Sequence, residues 1–395
     1  MKHNYLFILL CTFVLLVNCK GDGESIIPDE TPNVIQTGKV EGKVSANNGT
    51  KPIGGALVFT VDSESKVYHT YSDSNGNFSL TAPEGNTVLH IQTGDGRNFR
   101  TETPVTIKKN ETITVPATAT KLNQIAKMAY VKGSYDEIEE LINNLGYTAT
   151  ELTYQDLKNL NTIAQYDIIF LNCGSRGISQ TGTSSPSSDA MVYSNLSTFV
   201  ANGGSLYSSD WASAYLVGGD SNTTMCSAAG GFINDNLLCV KNIGTATTYT
   251  NCAVSDVPLA TALGFNTLDI TYDLTAWEKI QNYDSTFWEV LVEKNNEPLM
   301  IRTGHYTDPN APQVPVGNTA NNNQITICHH TTNGNNITIT INQNAWSAHQ
   351  AHGDTQGPCS GNSASGKIYY TTFHNHAAGN IGKAEPILEY VILNL

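Results

Sequence analysis

Residues 125–147, IAKMAYVKGSYDEIEELINNLGY, contain a compact apolar run followed by a segment with helical periodicity. In the second segment, apolar residues recur at helical spacing at Ile138, Leu141, Ile142 and Leu145. Ser134, with Glu137 three residues later, forms a capping box that predicts the start of a helix, and Gly146 predicts its end. We therefore expect a β-strand followed directly by an α-helix.

The same alternation continues along residues 124–395. Further strands are predicted in TATELT (148–153), YDIIFLNCG (166–174), GGSLYSSD (203–210) and GKIYYTTF (366–373). Helices are predicted in AMVYSNLSTFVANGG (190–204) and AEPILEYVILNL (384–395). Strands that alternate with helices imply crossover connections and a parallel sheet. We expect an α/β domain over 124–395, interrupted by an insertion at 306–366.

Residues 38–117 carry a different pattern, with short period-two runs separated by turn-forming stretches such as NNGT and DSNG. The predicted strands are GKVEGKVSA (38–46), GALVFTV (55–61), KVYHTYS (66–72), NFSLTA (77–82), TVLHIQT (87–93) and ETITVPA (111–117). Several short strands without a helical period are typical of a small all-β sandwich. The chain is therefore expected to be multidomain.

Three stretches of this first domain resemble the carboxypeptidase regulatory-like family of prealbumin-type sandwiches. They are GKVEGKV (38–44), KPIGGALVFT (51–60) and SDSNGNFSL (72–80). The resemblance implies that Gly76 provides a turn and that Phe78 packs into the core of a prealbumin-like sandwich. Modules of this family are usually spacers or sugar-contacting accessories without catalysis.

The N-terminal MKHNYLFILLCTFVLLVNC has the features of an export signal, with an apolar run from Tyr5 to Val17 that is short for a membrane span. Its end, LVNC, resembles a bacterial lipobox, although Asn18 is unusual before the cysteine. The resemblance implies a signal peptide over 1–18 and a lipidated Cys19, followed by a polar tether to residue 37. The protein would then be a lipoprotein anchored to the outer membrane, periplasmic or surface-exposed. The alternative is an ordinary secreted protein cut near Cys19.

The charge balance limits the partners. The chain has 21 Lys and Arg against 35 Asp and Glu, a formal net charge of −14. Nucleic acids and anionic lipid surfaces both require clustered basic residues, so they are not expected as partners. A saccharide or another envelope protein is compatible with this composition.

The α/β segment resembles the class I glutamine amidotransferase-like fold, a flavodoxin-like three-layer sandwich that includes ThuA-type proteins. The resemblance rests on the order of YDIIFLNCG, FVANGGSLYSSDWASAYL (199–216) and GKIYYTTFHNH (366–376). It places the nucleophilic cysteine of the family at Asp210, the catalytic histidine at His374 and the following glutamate at His376. Because a cysteine–histidine dyad needs a thiolate, glutamine hydrolysis by the usual route is not expected.

Ligands of open α/β sheets lie beyond the carboxyl ends of the strands. The residues expected at that edge are Asn172, Cys173, Asp210, Trp211, His374 and His376. An aspartate with histidines could hold a metal ion or perform acid–base chemistry. Alternatively, Asp210 caps the next helix and the histidines bond to loops. We expect a non-catalytic ligand-binding protein. The alternatives are a hydrolase or metal-dependent enzyme using Asp210 and His374, and a structural surface component.

Without Cys11 of the signal and the lipidated Cys19, an even number of cysteines remains, at Cys173, Cys226, Cys239, Cys252, Cys328 and Cys359. In an oxidising compartment this favours disulfides. The pairing of the four cysteines between 173 and 252 stays open.

The insertion contains ICHHTTNGNNITITINQNAWSAHQAHGDTQGPC (327–359), which resembles a small module of exported bacterial proteins with no activity that we can infer. Period-two runs predict a hairpin around TTNG, and QNAWSAHQAHG predicts a short helix that ends at Gly353. A Cys328–Cys359 disulfide would staple the module. Zinc or copper could bind to a candidate set of His329, His349, His352 and Asp354. The alternatives are a stapled structure alone, a zinc site with Cys328 and Cys359 as thiolates, and a reactive Cys–His pair.

Overall fold

A computed structural model describes the following parts of the chain: 35–174, 186–218, 231–234, 236–303, 323–330, 337–351, 353–357, 359, 366–375 and 384–395, with the backbone alone at 186–189. Residues 36–395 form one compact unit. The unit has many strands, few helices and several sheets. The sequence-based prediction of a mixed α/β protein is therefore confirmed.

The N-terminal strands are β1 Thr37–Lys43, β2 Leu57–Val61, β3 Val67–Tyr71, β4 Asn77–Pro83, β5 Gly85–Thr93, β6 Phe99–Ile107 and β7 Thr112–Thr114. The strands that follow are β8 Met128–Val131, β9 Ala149–Leu152, β10 Ile168–Leu171, β11 Ser205–Ser209, β12 Leu238–Asn242, β13 Thr247–Val254, β14 Thr267–Tyr272, β15 Glu278–Tyr283, β16 Trp288–Lys294 and β17 Glu297–Thr303. The last strands are β18 Gln324–His329, β19 Ile337–Asn342, β20 Thr355–Gln356 and β21 Ile368–Thr371.

The α-helices are α1 Ile138–Asn144, α2 Leu160–Ile163, α3 Pro186–Ala201, α4 Ala214–Val217, α5 Val257–Leu263, α6 Trp346–Ala351 and α7 Glu385–Asn394. Short 3-10 helices cover Ala117–Ala119, Asp156–Lys158, Asp210–Ser213 and Gln343–Ala345. Within the described residues, no helix combines the length and the apolarity needed to cross a membrane.

The N-terminal strands form two sheets, with orders β4-β1-β7 and β3-β2-β5-β6. Phe78 is buried, and Gly76 takes φ +81°, where a Cβ would lie 2.3 Å from the Val44 carbonyl oxygen. Both residues therefore behave as predicted. Strand β6 was not predicted, because Pro104 interrupts its pattern. It is the last strand of the β3-β2-β5-β6 sheet, where a proline is tolerated.

The largest sheet has the order β14-β13-β16-β17-β21-β11-β10-β8-β9. From β9 to β21 the strands run parallel, as predicted, and from β21 to β14 they run antiparallel. The expectation of a parallel sheet therefore holds for one half only. The antiparallel half was missed partly because a register shift between Tyr249 and Cys252 breaks the alternation of β13.

The predicted capping box is wrong, whereas the predicted helix end is right. Helix α1 begins at Ile138 without a side-chain cap, and Gly146 follows it at φ +82°. The peptide N–H of Glu137 donates to the Asn375 carbonyl at 2.9 Å. The backbone of Glu137 is thus bound to the segment after β21, and Ser134 and Glu137 do not form the predicted capping box.

The β-sandwich is packed against the α/β part rather than separated from it as a spacer. One continuous core includes Val44 of the sandwich and Leu141 of α1. Polar contacts reinforce it: Asn98 Nδ2 donates to the Leu395 carbonyl at 2.7 Å, and Lys51 lies 2.7 Å from Glu389.

The insertion packs against the outer face of the β3-β2-β5-β6 sheet. Its hairpin pairs β18 with β19, as predicted, and β20 joins β18. A shared apolar cluster consists of Leu57, Phe59, Val67, Ile327, Ile337, Ile339 and Ile341. Buried Gln92 adds a hydrogen bond from Nε2 to the Thr338 carbonyl at 3.0 Å.

Candidate functional site

The carboxyl ends of β10, β11 and β21 bring together most of the residues predicted for that edge. Parallel pairing aligns Leu171 with Ser208, and Ser209 with Thr371, so the residues that follow each strand meet. Asn172, Cys173, Asp210 and His374 are all buried there, and Trp211 is partly buried. His376 lies outside the described residues.

Asp210 occupies an unusual backbone conformation. Its φ is +44°, which a residue other than glycine adopts at a cost of about 1–3 kcal/mol. Its Oδ1 accepts a hydrogen bond from the Glu278 peptide N–H at 2.6 Å. The 3-10 helix Asp210–Ser213 has no side-chain cap. The alternative in which Asp210 caps the next helix is therefore wrong, because its carboxylate bonds to strand β15 instead.

Three different donor atoms surround the other oxygen of Asp210. Cys173 Sγ and His374 Nε2 each lie 3.6 Å from Asp210 Oδ2. The three ligand-type atoms all lie within 4.8 Å of one another. The sulfur, oxygen and nitrogen donors predicted for this edge thus form one buried cluster.

Burial sets the protonation of this cluster. Burial and the Asp210 charge raise the pKa of the Cys173 thiol well above its usual value. Burial, with the Asp210 charge, raises the pKa of Glu278 to about 9. Burial lowers the pKa of His374, but the contact with Asp210 and the Asp136 charge outweigh it, so the net shift is upward. At neutral pH, Cys173 is a thiol and Glu278 is uncharged.

Sequence reasoning missed Asp136, Glu278 and Asn375. Asp136 accepts hydrogen bonds from Ser209 Oγ and from the Asn375 peptide N–H, the latter at 3.1 Å. Burial raises the pKa of Asp136 to about 6. Asp136 was hidden inside the apparent capping box, and no motif marked Glu278.

The space beside Asp210 and His374 is very small. The cleft has about 10 Å³ available to the centre of a water molecule. Its lining residues are Asp210, Thr271, Tyr272, Asp273, Leu274, Trp277, Thr372, Phe373 and His374. A cavity needs roughly 10–15 Å³ by this measure to hold one water. The cleft that the described residues line therefore has room for about one water or ion.

A larger cleft of about 510 Å³ lies at the opposite edge of the sheet, near the start of β8 and β9. It is lined by Gln124, Ala126, Lys127, Met128, Thr148, Ala149, Thr150, Gln165 and Tyr166. Its volume falls in the range of small-molecule sites. The side-chain amide of Gln124 is engaged with the backbone of Ala126 and Thr148.

The Cys328–Cys359 disulfide is present, as predicted, with Cα atoms 4.5 Å apart. It excludes the alternatives that need free thiols in the module, namely a zinc–thiolate site and a reactive Cys–His pair. Cys239 is also disulfide-bonded. Among the described residues, Cys173 and Cys252 are free and buried.

The module contains a second cluster, centred on Asp354. Asp354 Oδ2 contacts Nδ1 of His329 at 2.8 Å and Nδ1 of His349 at 2.7 Å. All three residues are buried, and their ligand-type atoms lie within 4.8 Å of one another. His329 comes from β18 and His349 from α6, so the staple and the fold of the module bring them together. His352 lies outside the described residues.

The Asp354 carboxylate accepts a hydrogen bond from the backbone in addition to its contacts with the two imidazoles. The His330 peptide N–H donates to Asp354 Oδ1 at 2.9 Å. Burial alone would raise the pKa of Asp354, but the bonds from His329, the His330 backbone and His349 outweigh it and lower the pKa. Asp354 is therefore ionised, and each imidazole presents an Nδ1 proton to it.

A histidine of the β-sandwich lies near this cluster, and sequence reasoning missed it. His69 is on β3, directly opposite Phe59, a residue of the apolar interface with the module. Burial and the nearby His329 lower the pKa of His69. The module cluster is therefore close to the sandwich.

A scan against protein-family models found no match to this chain, and a search of the curated proteins found none. The resemblances to the regulatory-like sandwich and to the amidotransferase-like fold therefore stay predictions from the motifs.

Proposed function

We propose that this chain is a non-catalytic, metal-binding lipoprotein of the bacterial cell envelope, anchored through Cys19, whose stapled module binds zinc or copper. The observation that carries the metal proposal is the meeting of two buried imidazoles at a single oxygen of Asp354. Two nitrogen donors and one carboxylate oxygen form a donor set that suits either metal.

Metal binding at this cluster would exchange protons for an ion. Each Nδ1 now holds its proton against Asp354 Oδ2, at 2.7–2.8 Å. Ligands of a tetrahedral zinc ion, with bonds of about 2.0–2.1 Å, lie about 3.3 Å apart. The donors therefore need to separate by roughly half an ångström, a movement that rotations of the imidazole rings can supply.

The strand-end cluster favours a non-catalytic protein over a hydrolase using Asp210 and His374. Its cysteine is a buried thiol in contact with Asp210, and the cleft beside it has room for about one water. Both oxygens of Asp210 are in contact with protein groups, so this carboxylate is poorly placed to attack a substrate.

The test is a competition titration of the full chain, exported into the periplasm of a bacterial host, against a chromogenic chelator with Zn²⁺ and Cu²⁺. A His329→Ala/His349→Ala variant should lose one equivalent of bound metal. His90→Ala is the matched control. His90 lies on β5, in the sandwich sheet that the module packs against, and it pairs with Glu102 rather than with Asp354. Equal stoichiometry in all three proteins would contradict the proposal.

Anchoring is tested separately by metabolic labelling with a clickable fatty acid. The full chain should incorporate label and partition with membranes, and Cys19→Ala should do neither. Labelling that persists in Cys19→Ala would contradict anchoring at this residue.

A further inference from the structure

We propose a second metal site, separate from the module, in which Cys173, Asp210 and His374 bind one zinc-type ion at the ends of β10, β11 and β21. It goes beyond the proposed function, because it lies in the α/β part and uses a different donor set. In this proposal, the position of the amidotransferase nucleophile has become a metal ligand.

The spacing of the donor atoms is the first argument. Cys173 Sγ and His374 Nε2 are each 3.6 Å from Asp210 Oδ2. A hydrogen bond from an imidazole N–H to a carboxylate spans about 2.7–3.2 Å, so the His374 contact is too long to be a good one. Ligands that share a zinc ion, at bond lengths of about 2.0–2.3 Å, lie roughly 3.3–3.8 Å apart. Both contacts fall in that range.

The donor types agree with this spacing. Thiolate sulfur, imidazole nitrogen and carboxylate oxygen are the usual protein ligands of zinc. Each comes from the end of a different strand in the parallel half of the sheet, so the ligands are fixed by the backbone pairing. The cleft beside Asp210 and His374 has room for about one water, which is what a fourth ligand position requires.

The balance of charge is an independent argument. Asp136, Asp210 and Glu278 are buried together with the Cys173 thiol, and the basic side chain of His374 contacts Asp210. Glu278 is 3% exposed, and within the described residues its Oε2 has no hydrogen-bond partner. Buried acidic groups are costly unless they are paired or neutralised. Glu278 keeps its proton, so a divalent cation would balance the Asp210 carboxylate and the Cys173 thiolate that metal binding creates.

The binding step balances without any redox chemistry. The Cys173 thiol releases its proton to solvent and the sulfur binds as thiolate. His374 binds through the Nε2 lone pair and releases a proton if it was charged, and Asp210 binds through Oδ2. Metal uptake should therefore release protons.

Cobalt spectroscopy tests this site directly, since a thiolate ligand gives Co²⁺ an intense near-ultraviolet charge-transfer band. The full chain is unfolded in guanidinium with its disulfides intact and refolded with Co²⁺. The module cysteines are in a disulfide, so the band cannot come from the Asp354 site. We expect the band in the wild type and in His329→Ala/His349→Ala, and its loss in Cys173→Ser.

Cys252→Ser is the matched control, because Cys252 is the other free buried cysteine of the described residues and should leave the band intact. If Cys173→Ser does not refold, His374→Gln keeps the thiol and should reduce bound cobalt by one equivalent. A wild type without the band, or a band that persists in Cys173→Ser, overturns the proposal. Neither result depends on the module site, so the two proposals can fail separately.

Discussion

Asp354 and Asp210 are both buried aspartates in contact with histidine, yet they hold their neighbours differently. Asp354 contacts two Nδ1 atoms at 2.7 and 2.8 Å, whereas Asp210 lies 3.6 Å from both a sulfur and an imidazole nitrogen. The first spacing is that of N–H···O hydrogen bonds. The second fits a hydrogen bond from the thiol at the sulfur and also matches ligands that share an ion. A metal ion at Asp354 would therefore have to displace two imidazole protons and widen the site, whereas a metal ion at Asp210 would find its ligands already at that spacing.

The supports of the two clusters also differ. The Asp354 cluster lies in a small module held by a disulfide and by a hydrophobic contact with the sandwich. The Asp210 cluster is held by the parallel strands of the main sheet. Changes to the staple should therefore affect the first cluster and leave the second unchanged.

The largest effect is expected from removing the staple. Cys328→Ser/Cys359→Ser opens a loop closed across 31 residues, and the chain-entropy relation gives a loss of about 3–4 kcal/mol. Limited proteolysis should cut the module while the α/β part survives, and the cobalt band of Cys173 should remain. Loss of that band together with the module would show that the two clusters are not independent.

Asp354→Ala should have the next largest effect, because it leaves two buried imidazoles without their shared acceptor. We expect a loss of about 2–3 kcal/mol in the free energy of unfolding, measured by denaturant titration. Asp354→Asn keeps one acceptor oxygen and should cost less. Equal stability of both variants and the wild type would mean that the module does not depend on this carboxylate.

Gln92→Ala tests the contact between sandwich and module. Its amide donates to the Thr338 carbonyl and accepts from the Thr340 peptide N–H at 3.4 Å. Its loss should cost about 1–2 kcal/mol and should speed hydrogen exchange in β19. Gln165→Ala is the control, since that amide bonds only locally to the Asn161 carbonyl among the described contacts. Unchanged exchange in β19 would contradict a contribution from Gln92.

The smallest effect is expected from pH. The pKa of Asp354 is lowered in the folded protein by His329, His330 and His349, against an unfolded value of about 3.9. Its stabilisation is therefore fully present above the unfolded pKa and is lost as the pH falls through the folded pKa. Denaturant titrations at mildly and strongly acidic pH should show a smaller acid dependence for Asp354→Asn. Identical slopes for variant and wild type would contradict this assignment.

The sequence predicted the parts of the fold that depend on local pattern. Helix α1 buries the apolar positions that its spacing indicated, and Gly146 ends it. The Cys328–Cys359 pair was predicted because the two cysteines bracket the module. The strand-end residues met because parallel strands place their carboxyl ends at one edge.

The missed features depend on contacts between distant segments. Ser134 and Glu137 matched a capping box, but Asn375 holds the Glu137 backbone instead. Asp136 and Glu278 join the Asp210 cluster from segments far apart in the chain, so no spacing could reveal them. Strand β6 was not predicted because it contains Pro104. Whether a strand tolerates a proline depends on the position of that strand in the sheet, which the sequence does not show.

The most direct test of the central claim is anomalous diffraction from crystals grown with zinc, recorded on both sides of the zinc absorption edge. The proposed function predicts an anomalous peak between His329 Nδ1, His349 Nδ1 and Asp354 Oδ2, which widen to ligand spacing around it. A module without a peak, with both imidazoles still hydrogen-bonded to Asp354 at saturating zinc, would contradict it.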